Sequence, residues 1–218
     1  YSLRQRRRGG AITLTVDERG LCVGAPRHAD GGAIESQLRR HAAWILKQLA
    51  RWRQRCPPPL RWQDGESLML LGQPLRLTLA PERQGVSADS SSLVVGGAAD
   101  RPTIAQITVA WLQQQALLCF RQRAAQYHPM IGVAAPQIRL SSARSRWGSC
   151  HSSGRIRLNW RLIQMPLPLV DYVVAHELAH LREMNHSPRF WQTVARMVPD
   201  YAARRAQIRT QGYRYLVV

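Results

Sequence analysis

Lysine is almost missing from this sequence of 218 residues: of 31 basic residues Lys47 is the only lysine, and the rest are arginine. Acidic residues are also scarce, 13 in all, which leaves a formal net charge of +18. No apolar run approaches the roughly 18 residues of a membrane-spanning helix, so no membrane span is expected. The four cysteines, Cys22, Cys56, Cys119 and Cys150, are scattered without a CxxC pair. That spacing argues against a cysteine-type zinc site and against a dense disulfide framework, and leaves them as idle or buried thiols. Internal repeats and long low-complexity tracts are absent as well.

What is present is a globular composition, 45% hydrophobic, in a chain long enough for one domain or for a domain with an elaborated N-terminal half. The sequence begins at Tyr1 with a basic cluster, Arg4 to Arg8, and no signal-like apolar stretch, which predicts a cytoplasmic protein. The arginine excess would draw polyanions, nucleic acid first among them. Because the arginines are spread along the chain, an arginine-biased composition with few acids is the simpler account of the charge. Oligomeric state is not legible.

Periodicity divides the chain into an N-terminal β-rich region with one helix, 1–100, and a second region, 101–218, with one continuous domain as the alternative. Ala11 to Val16 alternates with period two, Asp17-Glu18-Arg19-Gly20 supplies a turn, and Leu21-Cys22-Val23 returns. A helix is expected from about Ile34 to Trp52, with Leu38, Ala42, Ile45 and Leu49 on one stripe, ended by Pro57-Pro58-Pro59. Short strands follow at Ser67–Leu71, Leu75–Leu79 and Ser92–Val95. A second helix spans about Ile104–Tyr127, with Val109, Leu112, Ala116 and Cys119 as its stripe. Strands near Ile138–Leu140 and Ile156–Leu162 flank Arg146-Trp147-Gly148-Ser149-Cys150. The remainder reads as helices at about Leu169–Met184, Pro188–Met197 and Tyr201–Thr210.

His176-Glu177-Leu178-Ala179-His180 fits the pattern HExxH. Histidines four residues apart stand on one helix face on successive turns, close enough to share a metal, with the glutamate beside them to take a proton from a metal-bound water. At about 100° per residue, His180 falls roughly 40° and Glu177 about 100° from His176, while Val170, Val174, Leu178 and Leu181 fall between about 120° and 200°. The apolar stripe thus packs on a core and the histidine pair faces a cleft.

A catalytic zinc site takes three protein ligands and keeps a position for water. After Glu177 only Glu183 and Asp200 are acidic. Glu183 lies further along the same predicted helix, which would carry it past the metal. His186 fits better: Ser187-Pro188 reads as an N-cap followed by proline at the first helical position, so the preceding helix must stop near Met184-Asn185. Asn185 tolerates a left-handed stop, which would swing His186 back. Asp200 is the competing third ligand. The ligand spacing of His176, His180 and His186 equals that of HExxHxxGxxH metzincins, with Glu183 where their glycine stands. Phe190, Val194 and Met197 form a stripe expected to pack beneath the site.

With these residues the chain resembles the YgjP-like metallopeptidases, a group related to the WLM and SprT/Spartan zinc proteases. The resemblance is carried by Arg146 to Cys150, by Ile156 to Leu162, by Asp171 to Leu181 and by Asn185 to Trp191, with further similarity at Ala25-Pro26 and Trp44-Ile45. It is weakest between about Arg83 and Arg101. It implies an α+β, zincin-like fold: a small, mostly antiparallel sheet and an HExxH helix, preceded by an N-terminal β/α region. It also implies one zinc ion on His176, His180 and His186, and Glu177 as general base.

The expected reaction is hydrolysis, foremost of a peptide bond in a peptide or protein. Two alternatives stay open: a zinc hydrolase of a non-peptide bond, and a nucleic-acid-associated protein with a regulatory or structural metal. Arg146, Trp147, Asn159 and Tyr172 are candidates for substrate binding. Tyr172, Tyr201, Tyr213, Arg146 and His151 are candidates for stabilising charge on the carbonyl oxygen, His151 being equally well a solvated loop residue. Ile156–Leu162 is a candidate for pairing with an extended substrate strand. Trp147 and Trp160 are expected in the core.

Overall fold

The computed structural model describes residues 1–6, 10–17, 20–55, 58, 60–143 and 145–215. The predicted turn residues Glu18 and Arg19, Arg7 and Arg8 of the basic cluster, Cys56, and Pro57 and Pro59 lie outside the described residues. The chain divides into two compact units, one of residues 1–58 and one beginning at Pro59.

The first unit is a three-stranded sheet with two helices. Strands β2 (Thr13–Asp17) and β3 (Gly20–Pro26) form the expected antiparallel pair. The arginine cluster begins as a strand, β1 (Ser2–Arg6), parallel to the other side of β3, so β3 is central. Val23 and Ala25 of β3 pack with Ile34 in a small core of their own. The single helix expected over 34–52 is two: α1 (Gly31–Arg40) and α2 (Ala42–Arg55), separated at His41. Periodicity cannot detect this break, because the hydrogen-bond ladder runs on through it. His41 donates to the Gln37 carbonyl and Ile45 donates to that of His41.

The second unit holds two sheets and four helices. Strands β4 (Ser67–Leu70), β5 (Gln73–Ala80), β6 (Val86–Ala88) and β7 (Ser92–Gly96) lie in the order β4-β5-β7-β6, with β5 and β7 parallel. β6, which three polar-flanked residues did not announce, covers the edge of β7. Gly72 turns β4 into β5 at φ +82°, and a Cβ there would meet Pro166 at 2.9 Å, so glycine is required on both counts. Helix α3 (Arg101–Tyr127) is capped by Asp100, whose side chain accepts from the Thr103 amide. Its buried stripe is Ile104, Thr108, Leu112, Ala116, Phe120, Ala124 and Tyr127. The expected stripe was rotated: Leu112 and Ala116 belong to it, whereas Val109 and Cys119 are half-buried at its flank. Thr108 fits the apolar face because its hydroxyl donates to the Ile104 carbonyl at 2.8 Å.

The second sheet comprises β8 (Gln137–Ser141), β9 (Gly148–Cys150) and β10 (Arg155–Asn159), in the order β8-β10-β9. The strand expected over 156–162 ends at Asn159, where the Asn159 side chain accepts from the Arg161 amide and starts a 3₁₀ turn, Trp160–Gln164. Then follow α4 (Leu167–Ala179), α5 (Pro188–Met197) and α6 (Tyr201–Gln211). The core runs from Leu68 to Val198 through both sheets and α3, α4 and α5. The architecture is α+β, but each small sheet pairs one strand parallel and others antiparallel, so the sheets are mixed rather than mostly antiparallel. Among the described residues no helix is long and apolar enough to cross a membrane.

Candidate metal centre

Helix α4 is apolar nearly all round, and its residues from Leu169 to Ala179 are buried except Asp171 and His176, which are half-buried. The one-sided stripe predicted from the helical wheel is therefore incomplete. Val170, Val174 and Leu178 do pack inward, but Tyr172, Val173 and Glu177 are buried too. Such a helix is embedded, and Arg123 of α3 anchors it with a forked ion pair, Nε to one oxygen of Asp171 and Nη2 to the other at 2.9 Å.

The helix also ends earlier than expected. His180 is its C-cap, and the amides of Leu181 and Arg182 bond back three residues, to Leu178 and Ala179, tightening the chain into turns. Asn185 is not left-handed; among described residues other than glycine only Trp62 and Leu71 are. Instead its side-chain oxygen accepts from the Ser187 amide, and Ser187 caps α5 by accepting from Phe190. These two local bonds fix His186 between them. Its Nε2 lies 3.2 Å from Nε2 of His176. One ring nitrogen from each of His176, His180 and His186 falls within 4.8 Å of the others.

Each ring has support. Nδ1 of His180 donates to the Glu183 carbonyl at 3.1 Å, so its Nε2 is the free lone pair. Glu183 thus serves the site through its main chain. Phe190 lies beneath all three, its ring 4.9 Å from His176, 4.6 Å from His180 and 4.7 Å from His186. Trp191 stacks on His186 at 5.7 Å and on Tyr201 at 5.2 Å, and the Arg205 guanidinium lies over it at 4.6 Å. Val194 and Met197 complete the expected packing stripe. Burial, and then the neighbouring His180 and His186, push the His176 pKa down to about 3; burial also lowers that of His180. Both rings are neutral at pH 7, the form that can ligate a metal.

Glu177 is 5% exposed, and burial raises its carboxyl to about 8 against the opposing charge of Arg146. Strand β9 crosses directly over it: a Cβ on Gly148 would stand 2.5 Å from its Oε1. Beside the pair opens a cavity of about 270 Å³, walled by Trp147, Tyr172, Val173 and Ile208, with Arg205 and Arg209 of α6 also lining it.

The predicted substrate and charge-stabilising residues separate in space. Tyr172 and Trp147 line this cavity, so Trp147 is a cleft residue and only Trp160 belongs to the core. Arg146 is exposed near Glu177. Asn159 is buried, and its amide donates to the carbonyls of Ala143 and Arg146, holding the loop before β9. His151 is exposed and bonded to Ser153 within its own loop. Tyr201 faces Trp191, and Tyr213 sits half-buried after α6. Asp200 pairs with Arg204 rather than joining the histidines. β10 is the central strand of its sheet, so the segment expected to take a substrate strand has both edges paired. Gly148, Trp191 and Arg205 had no assigned part in the sequence reading. Gly148 and Trp191 stand inside the motifs it singled out, and Arg205 carried no local signal.

No curated protein matches the chain. A solved structure, the metallopeptidase zymogen of Pyrococcus abyssi abylysin, is 20% identical over 42% of this chain and 95% of its own, with a TM-score of 0.36. The family therefore rests on sequence. The model of the YgjP-like metallopeptidase domain matches residues 11–211. That span covers the histidine cluster, the strand over Glu177 and both sheets, and the chain belongs to the YgjP-like metallopeptidase family.

Proposed function

We propose that the protein is a zinc-dependent peptidase in which His176, His180 and His186 hold one zinc ion and Glu177 is the general base. The supporting observation is the convergence of three imidazole nitrogens within 4.8 Å of one another, from α4, its C-cap and the turn before α5, with a buried carboxyl next to His176. The donor set fits the ion: nitrogen ligands suit zinc, two of the rings are held neutral, and the described residues add no fourth histidine, cysteine or carboxylate to the group. Oε2 of Glu177 is buried with no hydrogen-bond partner, so no group among the described residues occupies its lone pairs.

Zinc, when bound, would supply a Lewis acid that acidifies water and polarises a carbonyl. Glu177 must be ionised to act, and a bound zinc beside it would favour the carboxylate that burial disfavours in the metal-free chain. That carboxylate takes the proton of the attacking water and passes it to the leaving amine. Gly148 lets β9 lie against that carboxylate and restricts where it can point. β9 is also the outer strand of its sheet, beside Glu177, and is the edge that would pair with an extended peptide in place of β10. Tyr172, whose ring lies 5.9 Å from that of His176, and Arg146, whose charge acts on Glu177, are the donors proposed for the carbonyl oxygen. Glu177→Gln should keep its zinc and lose hydrolysis by about 10²–10⁴-fold, measured by metal analysis and peptide cleavage on the same sample. Full activity in that variant would overturn the mechanism, and unchanged zinc in His186→Ala would remove His186 from the ligand set.

A second reading, association with nucleic acid, is favoured by Arg139, Arg155 and Arg157. All three are exposed on one face of the β8-β10 pair, and Arg139 and Arg157 are register partners. Like charges side by side are unfavourable unless an anion lies over them. Replacing the three with glutamine should flatten the salt dependence of a gel shift.

A further inference from the structure

The cavity beside Glu177 is unequal in its walls. Trp147, Val173 and Ile208 give it apolar wall, while Arg205 and Arg209 bring two positive charges from α6. At about 270 Å³ it falls below the roughly 300–1,000 Å³ of sites for drug-sized ligands, so it suits one residue's side chain. Arg205 and Arg209 stand four residues apart on one helix face, and neither pairs with a carboxylate among the described residues. Arg204, next to them, does pair, with Asp200 at 2.6 Å. Two like charges at this spacing weaken a helix rather than support it, so helix stability does not account for the pair. Arg205 is moreover held in place over Trp191. A guanidinium fixed at the mouth of an apolar pocket is suited to a planar anion.

We propose that this cavity is a specificity pocket for a carboxylate on the substrate, within one residue of the scissile bond, bound by Arg205 and Arg209. The carboxylate comes either from an aspartate or glutamate side chain or from the free C-terminus of the peptide. The proposal rests on the peptidase reading of the adjoining centre. It assigns that site its substrate class, acidic peptides, and disfavours lysine or arginine at the same position.

The test uses fluorescein-labelled peptides and the full chain loaded with zinc. Four peptides differ only in carrying internal glutamate or glutamine and a free or amidated C-terminus; anisotropy reads binding and chromatography reads cleavage. The carboxylate form should bind at least about tenfold tighter, the effect of one charge-assisted hydrogen bond of the weaker kind. Internal glutamate as the better ligand identifies a side-chain pocket, and the free terminus identifies a carboxypeptidase-like one. Arg205→Gln with Arg209→Gln should abolish the difference, whereas Arg121→Gln with Arg196→Gln, which removes equal charge from exposed sites elsewhere, should preserve it. Arg209→Gln alone, which leaves the Trp191 contact intact, should reduce it if the double variant loses zinc. Equal binding of all four peptides, or discrimination surviving in both Arg209→Gln and the double variant, overturns the pocket. Discrimination without cleavage of any peptide would leave the pocket standing and sink the peptidase reading instead.

Discussion

Helices α4 and α6 both face the cavity beside the histidine cluster, yet they are built in opposite ways. α4 buries nine of its thirteen residues, is tied to α3 by a forked Arg123–Asp171 pair, and carries His176 and Glu177. α6 buries none of its eleven and contributes arginines. Groups that must act on a bond need positions fixed to a fraction of an ångström, and close packing supplies that. Groups that select among substrates need to reach into solvent and can be changed without unsettling the core. In the proposed function the buried helix carries the chemistry and the exposed one the choice of substrate.

The sharpest way to break this contrast is at Gly148, where β9 touches α4. Gly148→Ala would drive a methyl group into the Glu177 carboxylate, and hydrolysis should fall by about 10³-fold while zinc is retained; activity within a factor of three would mean Glu177 is not fixed by β9. Next comes Arg123→Ala, which leaves Asp171 of α4 unpaired against α3 and should cost about 3 kcal/mol in urea unfolding.

A similar effect is expected from pH in the metal-free chain. Folded Glu177 keeps its proton up to about pH 8 but ionises near 4.5 once unfolded, so its contribution is full below 4.5 and is lost as pH rises through 8. Wild type should therefore weaken against Glu177→Gln by about 3 kcal/mol between pH 5 and pH 8. His176 works in the other direction, since its folded pKa of about 3 makes stability fall as pH drops from 6.5 toward 3. Parallel curves for wild type and Glu177→Gln would show that Glu177 is not buried as an acid. Least of all should change on α6: Arg204→Ala removes a partly exposed pair to Asp200 and should cost no more than about 0.5 kcal/mol by the same unfolding.

Much of the centre was legible in order along the chain. HExxH, the spacing to His186 and the Ser187-Pro188 start of α5 are local patterns, and local hydrogen bonds realise them. The helix end was misplaced because Leu181 to Met184 keep helical apolar spacing, while three-residue hydrogen bonds at Leu178 and Ala179 close the helix there. The break at His41 was invisible for a related reason, since its flanking hydrogen bonds imitate a continuous helix. The strand expected to hold substrate was misjudged because alternation reports a strand's faces and says nothing of which strands lie beside it.

The sequence alone determined the histidines, the glutamate, the family resemblance and most helices, because each depends on residues within about a dozen positions of one another. Tertiary structure decided the rest. It set β9 rather than β10 at the sheet edge and brought Gly148 against Glu177 across 29 positions of chain. It also turned Trp147 into the cleft and set Arg205 and Arg209 in the same cavity as Glu177. Those relations follow from which buried surfaces can pack together, and packing is a property of the folded chain that no local window contains.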